Sequence, residues 1–227
     1  MQVTICTANC VGQAGNCSYP NKVTVVTPEQ LQEAVKKDHV CAEFKGNYRS
    51  IENFIRSDVI VMDIDNDHTE VPADWITAEK LEELFPNVEY LLAPSRHHLL
   101  DKEGKSARPR YHMYFPISEI TDASRYANLK KAIQSAYAFF DGNALDAARF
   151  IFGAECEEVI FHEGWMTVDE EVEVSDIEEE DFDSEMPDGK SSGPILEGSR
   201  NNTMSRFAGR VLKRYGDTEK AHEAFLE

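Results

Sequence analysis

The chain has 227 residues, room for one good-sized domain or one domain with part of another, and its 41% apolar share is enough to build a core. A formal net charge of −19 argues against a general nucleic-acid binder, yet eleven acidic residues lie between Asp169 and Glu185 with no basic one among them, leaving −8 on the remainder. A local basic cleft is therefore not excluded. With no run near 18 apolar residues and no basic-then-apolar amino terminus, the sequence reads as having no membrane span and no signal peptide. Its five cysteines (Cys6, Cys10, Cys17, Cys41, Cys156) read as reduced thiols of a cytoplasmic protein.

Val3–Cys6 and Val23–Val26 read as short strands around a loop rich in glycine, asparagine and proline. Cys6, Cys10 and Cys17 lack the close C-x2-C pair of a zinc site and are expected as buried or unpaired thiols. Thr27-Pro28-Glu29 opens a helix that presents Leu31, Ala34 and Val35 on one face and ends near Lys36. Val40–Phe44 is expected as one strand. A short helix carrying Ile51, Phe54 and Ile55 is expected before the strand that starts at Asp58, with Lys45 and Arg49 as basic positions just upstream.

That strand runs Asp58-Val-Ile-Val-Met-Asp-Ile-Asp65, with the turn Asn66-Asp67 after it. Successive side chains of a strand alternate faces, so Asp63 and Asp65 are expected on one side and Ile64 on the other. A helix capped by Thr77 follows over 78–85, then a strand Tyr90–Ala93, then Pro94-Ser95-Arg96-His97-His98. Lys102, Lys105, Arg108 and Arg110 surround Gly104 in a basic flexible loop. Tyr111–Ile117 is expected as a strand with Tyr111, Met113 and Phe115 on one face and His112 and Tyr114 on the other. The longest helix is expected over 123–139. Asp141-Gly142 follows it, Asp146 caps a turn at Ala147-Ala148, and Arg149–Gly153 and Ile160–Val168 supply the last strands.

Strands and helices alternate, and the polar clusters fall at strand ends, so residues 1–168 read as one mixed α/β domain of the α+β class. Residues 169–196 read in composition as an acidic, disordered linker, with mimicry of DNA as the sharper account of its charge. Residues 197–227 hold two short amphipathic helices, the truncated start of a further helical domain.

Two carboxylates close together on one strand face call for a cation between them, and hard oxygen donors suit magnesium or manganese. Asp141 offers a third carboxylate. Ser95, Arg108, Arg110, His112 and Arg149 offer hydroxyl, guanidinium and imidazole donors of the kind that hold a triphosphate. Together these are the parts for two-metal nucleotidyl transfer. A metal-dependent nuclease or phosphoesterase uses the same carboxylates, and His97 and His98 beside Asp63 and Asp65 would suit a mixed histidine–carboxylate site.

The order of these segments resembles the archaeo-eukaryotic primase superfamily, in particular the primase-polymerase domains of phages, plasmids and integrated elements. Val61-Met-Asp-Ile-Asp65 resembles its first motif, which implies metal ligation by Asp63 and Asp65. Arg110-Tyr-His-Met-Tyr-Phe-Pro-Ile117 resembles the second, which implies contact between His112 and the nucleotide phosphates; Ser95 stands loosely for a serine often found before that histidine, with Ser106 and His97 as competitors. Asp141 through Arg149-Phe-Ile-Phe152 resembles the third, which implies Asp141 as the third metal position, with Asp146 its rival, and Arg149 as a nucleotide or template contact. Lys45 and Arg49 match basic positions that touch nucleotide or template. Glu197-Gly-Ser-Arg-Asn-Asn-Thr203 resembles the opening of the helical domain that follows many such cores.

The resemblance implies a two-lobed catalytic core with an RNA-recognition-like sheet and helices on one side of it. It implies a DNA primase or primase-polymerase that uses two ions, Mg2+ or Mn2+, to transfer nucleotides from nucleoside triphosphates onto a primer on a single-stranded DNA template. Expected partners are that template, the nucleotides and a replicative helicase, in trans or in a missing carboxy-terminal part, with no membrane. The setting is the cytoplasm of a bacterial, archaeal or phage-infected cell. A non-catalytic nucleic-acid-binding replication module is the remaining alternative.

Overall fold

A computed structural model describes residues 1–143, 145–156 and 158–172. Of the linker expected over 169–196, residues 173–196 lie outside the described residues, as do the expected carboxy-terminal helices; Val172, within its expected span, is buried in the core. The fold is mixed α/β with two antiparallel sheets. One sheet has the order β2-β1-β3-β8, built from β1 (Val3–Thr7), β2 (Asn21–Val25), β3 (His39–Val40) and β8 (Phe150–Ile151). The other has the order β4-β5-β7-β6-β9, built from β4 (Glu43–Phe44), β5 (Phe54–Ile64), β6 (Tyr90–Pro94), β7 (Tyr111–Ile120) and β9 (Ile160–His162). Among the described residues the helices α1 (Pro28–Val35), α2 (Ala78–Leu84) and α3 (Ala123–Ala136) accompany them.

β5 and β6 run parallel, joined through α2, while β7 lies between them antiparallel to both. This is a split β-α-β unit. Its strands are covered on both faces, which explains the unbroken apolar run of β5. Ile60, Met62 and Ile64 face one cluster with Met113, Phe115, Tyr90 and Leu92 and with α2 and α3 side chains Leu81, Tyr126 and Ile133. Val59, Val61, Tyr114, Leu91 and Ala93 face the other, against Val3, Ile5 and the α1 residues Leu31, Ala34 and Val35. The helices α2 and α3 thus share one side, and the first sheet with α1 packs on the opposite side. No helix among the described residues is long and apolar enough to cross a membrane.

Local chemistry sets the boundaries. Thr27 caps α1 in a reciprocal capping box with Gln30, and Pro28 starts it. Asp122 caps α3 by accepting from Arg125 N–H at 2.7 Å. The β5–β7 register shifts between Ser57 and Val59. At that shift the Asp58 carboxylate accepts the Thr4 N–H (2.8 Å) and hydroxyl (2.7 Å), tying β1 to β5. Pro116, which has no N–H to give the ladder, sits opposite Val59 beside the same irregularity. At the exit of β8, Gly153 passes so close to α1 that an added Cβ would lie 2.3 Å from the Lys36 carbonyl oxygen.

The structure corrects several boundaries. The expected strand over 40–44 is two, one in each sheet, because the chain crosses between the sheets at Cys41-Ala42, and those residues are buried as deeply as the strands. The expected helix over 51–55 is a single 3-10 turn, Ile51–Asn53. Ile51 and Ile55 are half exposed, so their spacing marks no buried face, and β5 begins already at Phe54. Helix α3 ends at Ala136, where the chain turns to bury Phe140 against Phe115 and Phe85. Of the strand segment expected over 160–168 only Ile160–His162 pairs as a ladder, with a lone bridge from Met166 to Val88 beyond it.

Candidate functional site

The polar residues singled out in the sequence meet where β5 ends, β7 begins and the chain enters β8. Asp63 and His112 are register partners on adjacent strands, with Ala93 of β6 next in the row. Alternation puts Asp63 and His112 on the side facing the first sheet, while Ile64 enters the opposite cluster, as the period of two requires. From that first sheet Arg149, just before β8, reaches across and donates from Nη2 to Asp63 Oδ2 at 3.3 Å. His112 Nε2 stands 3.7 Å from Asp63 Oδ1. Burial lowers the His112 pKa, opposed by Asp63 and Asp65 and reinforced by Arg149 and Lys102, so the imidazole is neutral near pH 7.

Asp65 lies just past the strand, and its partners come from elsewhere. Lys102 Nζ meets its Oδ2 at 3.0 Å, and Arg110 Nε lies 3.8 Å from its Oδ1. The basic loop is in fact matched cation by cation to the acidic turn after β5. Lys105 and Arg108 lie 3.7 Å from Asp67, Arg110 lies 3.8 Å from it, and Arg108 pairs with Glu70 at 2.6 Å. The tip of the loop is a two-residue turn: Lys102 and Lys105 exchange backbone hydrogen bonds across Glu103 and Gly104, whose φ angles of 51° and 82° suit such a hairpin. Asn66, in the left-handed region at φ 54°, ends the strand and pins the turn by bonding Ile76 and the Pro109 carbonyl.

The two arginines of this loop differ in kind. Arg108 is fully buried, and all five of its N–H donors have protein partners, namely Ser106, Asn66, Thr69 and Glu70. It is a structural clamp on residues 66–70. Arg110 is also fully buried, donating from Nη1 to the His97 and Leu100 carbonyls, but its Nε and Nη2 have no hydrogen-bond partner. Arg149 Nε is likewise buried without one.

The other expected residues fall around this centre. The Asp141 backbone N–H donates to the Asp63 carbonyl at 2.9 Å, which docks the loop after α3 on the end of β5. Its carboxylate turns back on its own loop, with Oδ1 accepting from Asn143 N and Nδ2. Asp146 Oδ1 caps Ala148 N–H at 2.8 Å, the turn expected for it. The Ser95 N–H donates to the Arg110 carbonyl. Arg49 donates to the Ala148 carbonyl at 2.9 Å and stands over the Phe150 ring, so it supports the segment leading into Arg149. Lys45 is exposed in the 3-10 turn Lys45–Asn47. The cysteines are free thiols.

A buried layer under the site escaped the sequence reading. His39 of β3 bonds Tyr114 of β7 from sheet to sheet, Nε2 to hydroxyl at 2.8 Å. Its Nδ1 lies 2.8 Å from the Lys37 carbonyl and must donate there, which leaves Nε2 to accept the tyrosine proton. Lys130 of α3 is buried in the field of Asp63, Asp146 and Arg149, with burial pulling its pKa down and Asp63 raising it. One signal was available: Lys130 falls on the apolar stripe of α3, between Tyr126 and Ile133.

Carboxylate oxygens are the right donors for magnesium or manganese, but the arrangement does not fit a two-ion centre. Among the described residues no three His, Cys, Asp or Glu side chains come together to hold a metal. Asp63 and Asp65 each already face a protein cation.

No family model matches the chain, and no curated protein matches it. Among solved structures it is similar to the AEP domain of the cyanophage S-2L primase-polymerase (PrimPol), with a TM-score of 0.42 and 13% identity over 76% of this chain and 87% of that one. Similarity of that size transfers no residue role.

Proposed function

We propose that this chain is the catalytic part of a primase-polymerase, a nucleotidyltransferase that adds nucleotides from nucleoside triphosphates to a primer on single-stranded DNA in phage or mobile-element replication. The observation that carries the reading is convergence. The three motif segments of the sequence resemblance lie far apart in the chain, yet Asp63 pairs in register with His112, takes a hydrogen bond from Arg149 and binds the Asp141 backbone through its carbonyl. Three buried guanidinium nitrogens without a hydrogen-bond partner, two on Arg110 and one on Arg149, add donors of the kind a phosphate oxygen accepts.

In this reading the neutral His112 donates one hydrogen bond to a phosphate oxygen, and Arg149 supplies a charge-assisted one. Bound divalent ions would offset charge on the phosphates, and Asp63 and Asp65 are the carboxylates offered to them. No step is assigned through ions, because the carboxylates as arranged do not close around one.

Incubation of the full chain with single-stranded template, labelled nucleotides and magnesium or manganese tests the proposal. Products longer than a dinucleotide that disappear in His112→Ala support it. A shortened template would mean a nuclease instead. A second reading, a non-catalytic nucleic-acid-binding replication module, is favoured by the protein cations already on Asp63 and Asp65. Template binding with neither product nor shortening would establish that reading in place of the first.

A further inference from the structure

Next to the Asp63 cluster lies a cation with a different setting from those of the basic loop. Arg96 follows β6, three residues after Ala93, the neighbour of His112 in the row. Its guanidinium carbon stands 3.8 Å from the centroid of the Phe152 ring. Phe152 in turn meets Phe150 edge-on, with centroids 4.8 Å apart. The stack joins the segment after β6, which ends beside the row of Asp63 and His112, to the residue that follows β8 in the first sheet.

Lys102, Lys105, Arg108 and Arg110 are all matched to carboxylates. Arg96 is exposed and has no carboxylate within ion-pair distance among the described residues. Its guanidinium is an exposed charge standing over the partly buried Phe152 ring, a cation–π pair at the surface. His97, beside it, has its pKa lowered first by burial and then by Arg96, Lys102 and Arg110, against Asp65, so cations outnumber carboxylates around it.

We propose that Arg96 and Phe152 form a stacking platform for a base of single-stranded nucleic acid entering the Asp63 cluster. A guanidinium plane on a ring presents both a flat face for a base and a charge for the adjoining phosphate. The platform rests on the proposed function for its direction, since the strand is taken to lead to that cluster, but its binding chemistry is tested separately.

The experiment measures fluorescence anisotropy of labelled oligothymidylate, and of an abasic strand of equal length, with the full chain at several salt concentrations. The wild type is expected to prefer the base-bearing strand by about tenfold, in line with one stacked base. Phe152→Leu, which keeps an apolar side chain but no ring, is expected to abolish that preference. Arg96→Lys, at an exposed position whose replacement leaves the core intact, is expected to reduce it while keeping the salt dependence. Arg96→Gln is expected also to lower the logarithmic salt slope by about 0.7, the share of one single-strand phosphate.

Equal binding of the two strands by the wild type would overturn the platform, as would a preference that survives in both Phe152→Leu and Arg96→Lys. Binding of a labelled nucleoside triphosphate, measured alongside, separates the two proposals. Loss of the base preference in Phe152→Leu with no triphosphate binding in any variant would uphold the platform and sink the primase reading. Triphosphate binding without a base preference would do the reverse.

Discussion

Arg149 and Asp63 meet at 3.3 Å across 86 residues of chain, one entering the first sheet and the other near the end of β5 in the second. The pair is partly buried on the aspartate side (12% exposed) and more open on the arginine side (38%). A charge-assisted bond in that setting should couple the two residues by about 1 kcal/mol. A double-mutant cycle of Asp63→Asn and Arg149→Gln, followed by urea unfolding, reads this number directly. Coupling below about 0.3 kcal/mol, the ordinary error of additivity, would show the pair to be idle. Under the proposed function, Arg149→Gln should also slow primer extension by about a hundredfold, the usual cost of losing one preorganised donor.

Arg108 and Arg96 are expected to separate cleanly by stability. Arg108→Ala removes five donors from a fully buried site and leaves Glu70, the Ser106 hydroxyl and three carbonyls without them. At about 1–3 kcal/mol for each buried acceptor left unsatisfied, that should cost about 3 kcal/mol or more, whether or not nucleotide is present. Arg108→Lys should recover little, because an ammonium cannot replace a planar fork. Arg96→Ala, at an exposed position, should change stability by less than about 0.5 kcal/mol. Thermal melts of the three variants check this, and a stable Arg108→Ala would return Arg108 to the list of ligand-binding residues.

Much of the fold could be read because its signals are local. The Thr27 capping box, the period of two in β7 and the doubly buried run of β5 each depend on a few neighbouring residues. The crossing at Cys41-Ala42 could not be read, since a chain buried while passing between sheets shows the same apolar run as a strand. The same limit applies to the site. Alternation put Asp63 and Asp65 on one side, but their spacing carries no word of Lys102, 37 residues on, or of Arg149. Charge matching between the loop and the acidic turn is a tertiary fact, so a basic segment that looked ready for phosphate proves to be largely engaged by the protein itself.

His39 makes the protein sensitive to acid. Burial lowers its pKa from 6.5 to about 4, and its Nε2 accepts from the Tyr114 hydroxyl. Between those two values the unfolded chain binds a proton that the native state refuses, so stability falls as pH drops through the window. The full effect is about 3 kcal/mol, present above pH 6.5 and lost by about pH 4. His112, whose pKa burial also lowers, acts in the same direction. Urea midpoints at pH 7 and pH 4.5 for the wild type and His39→Gln should show a shallower fall in the variant. Equal slopes would mean that His39 is not the sensor.

Under the primase reading, Lys102 governs how readily a metal reaches Asp65. Its ammonium lies 3.0 Å from Oδ2, and both side chains are about a quarter exposed, so the pair is worth little to stability, about 0.2–1 kcal/mol. It nevertheless competes with any cation for the same oxygen. Under the primase reading, Lys102→Ala should therefore tighten manganese binding by up to about fivefold, the equivalent of that pair energy. Asp65→Asn should weaken it in either background. Electron paramagnetic resonance of free manganese during titration gives both affinities without depending on catalysis. If manganese affinity is unchanged by Lys102→Ala and by Asp65→Asn, Asp65 is a partner for the basic loop and not a ligand, and nucleotidyl transfer would need its ions held elsewhere.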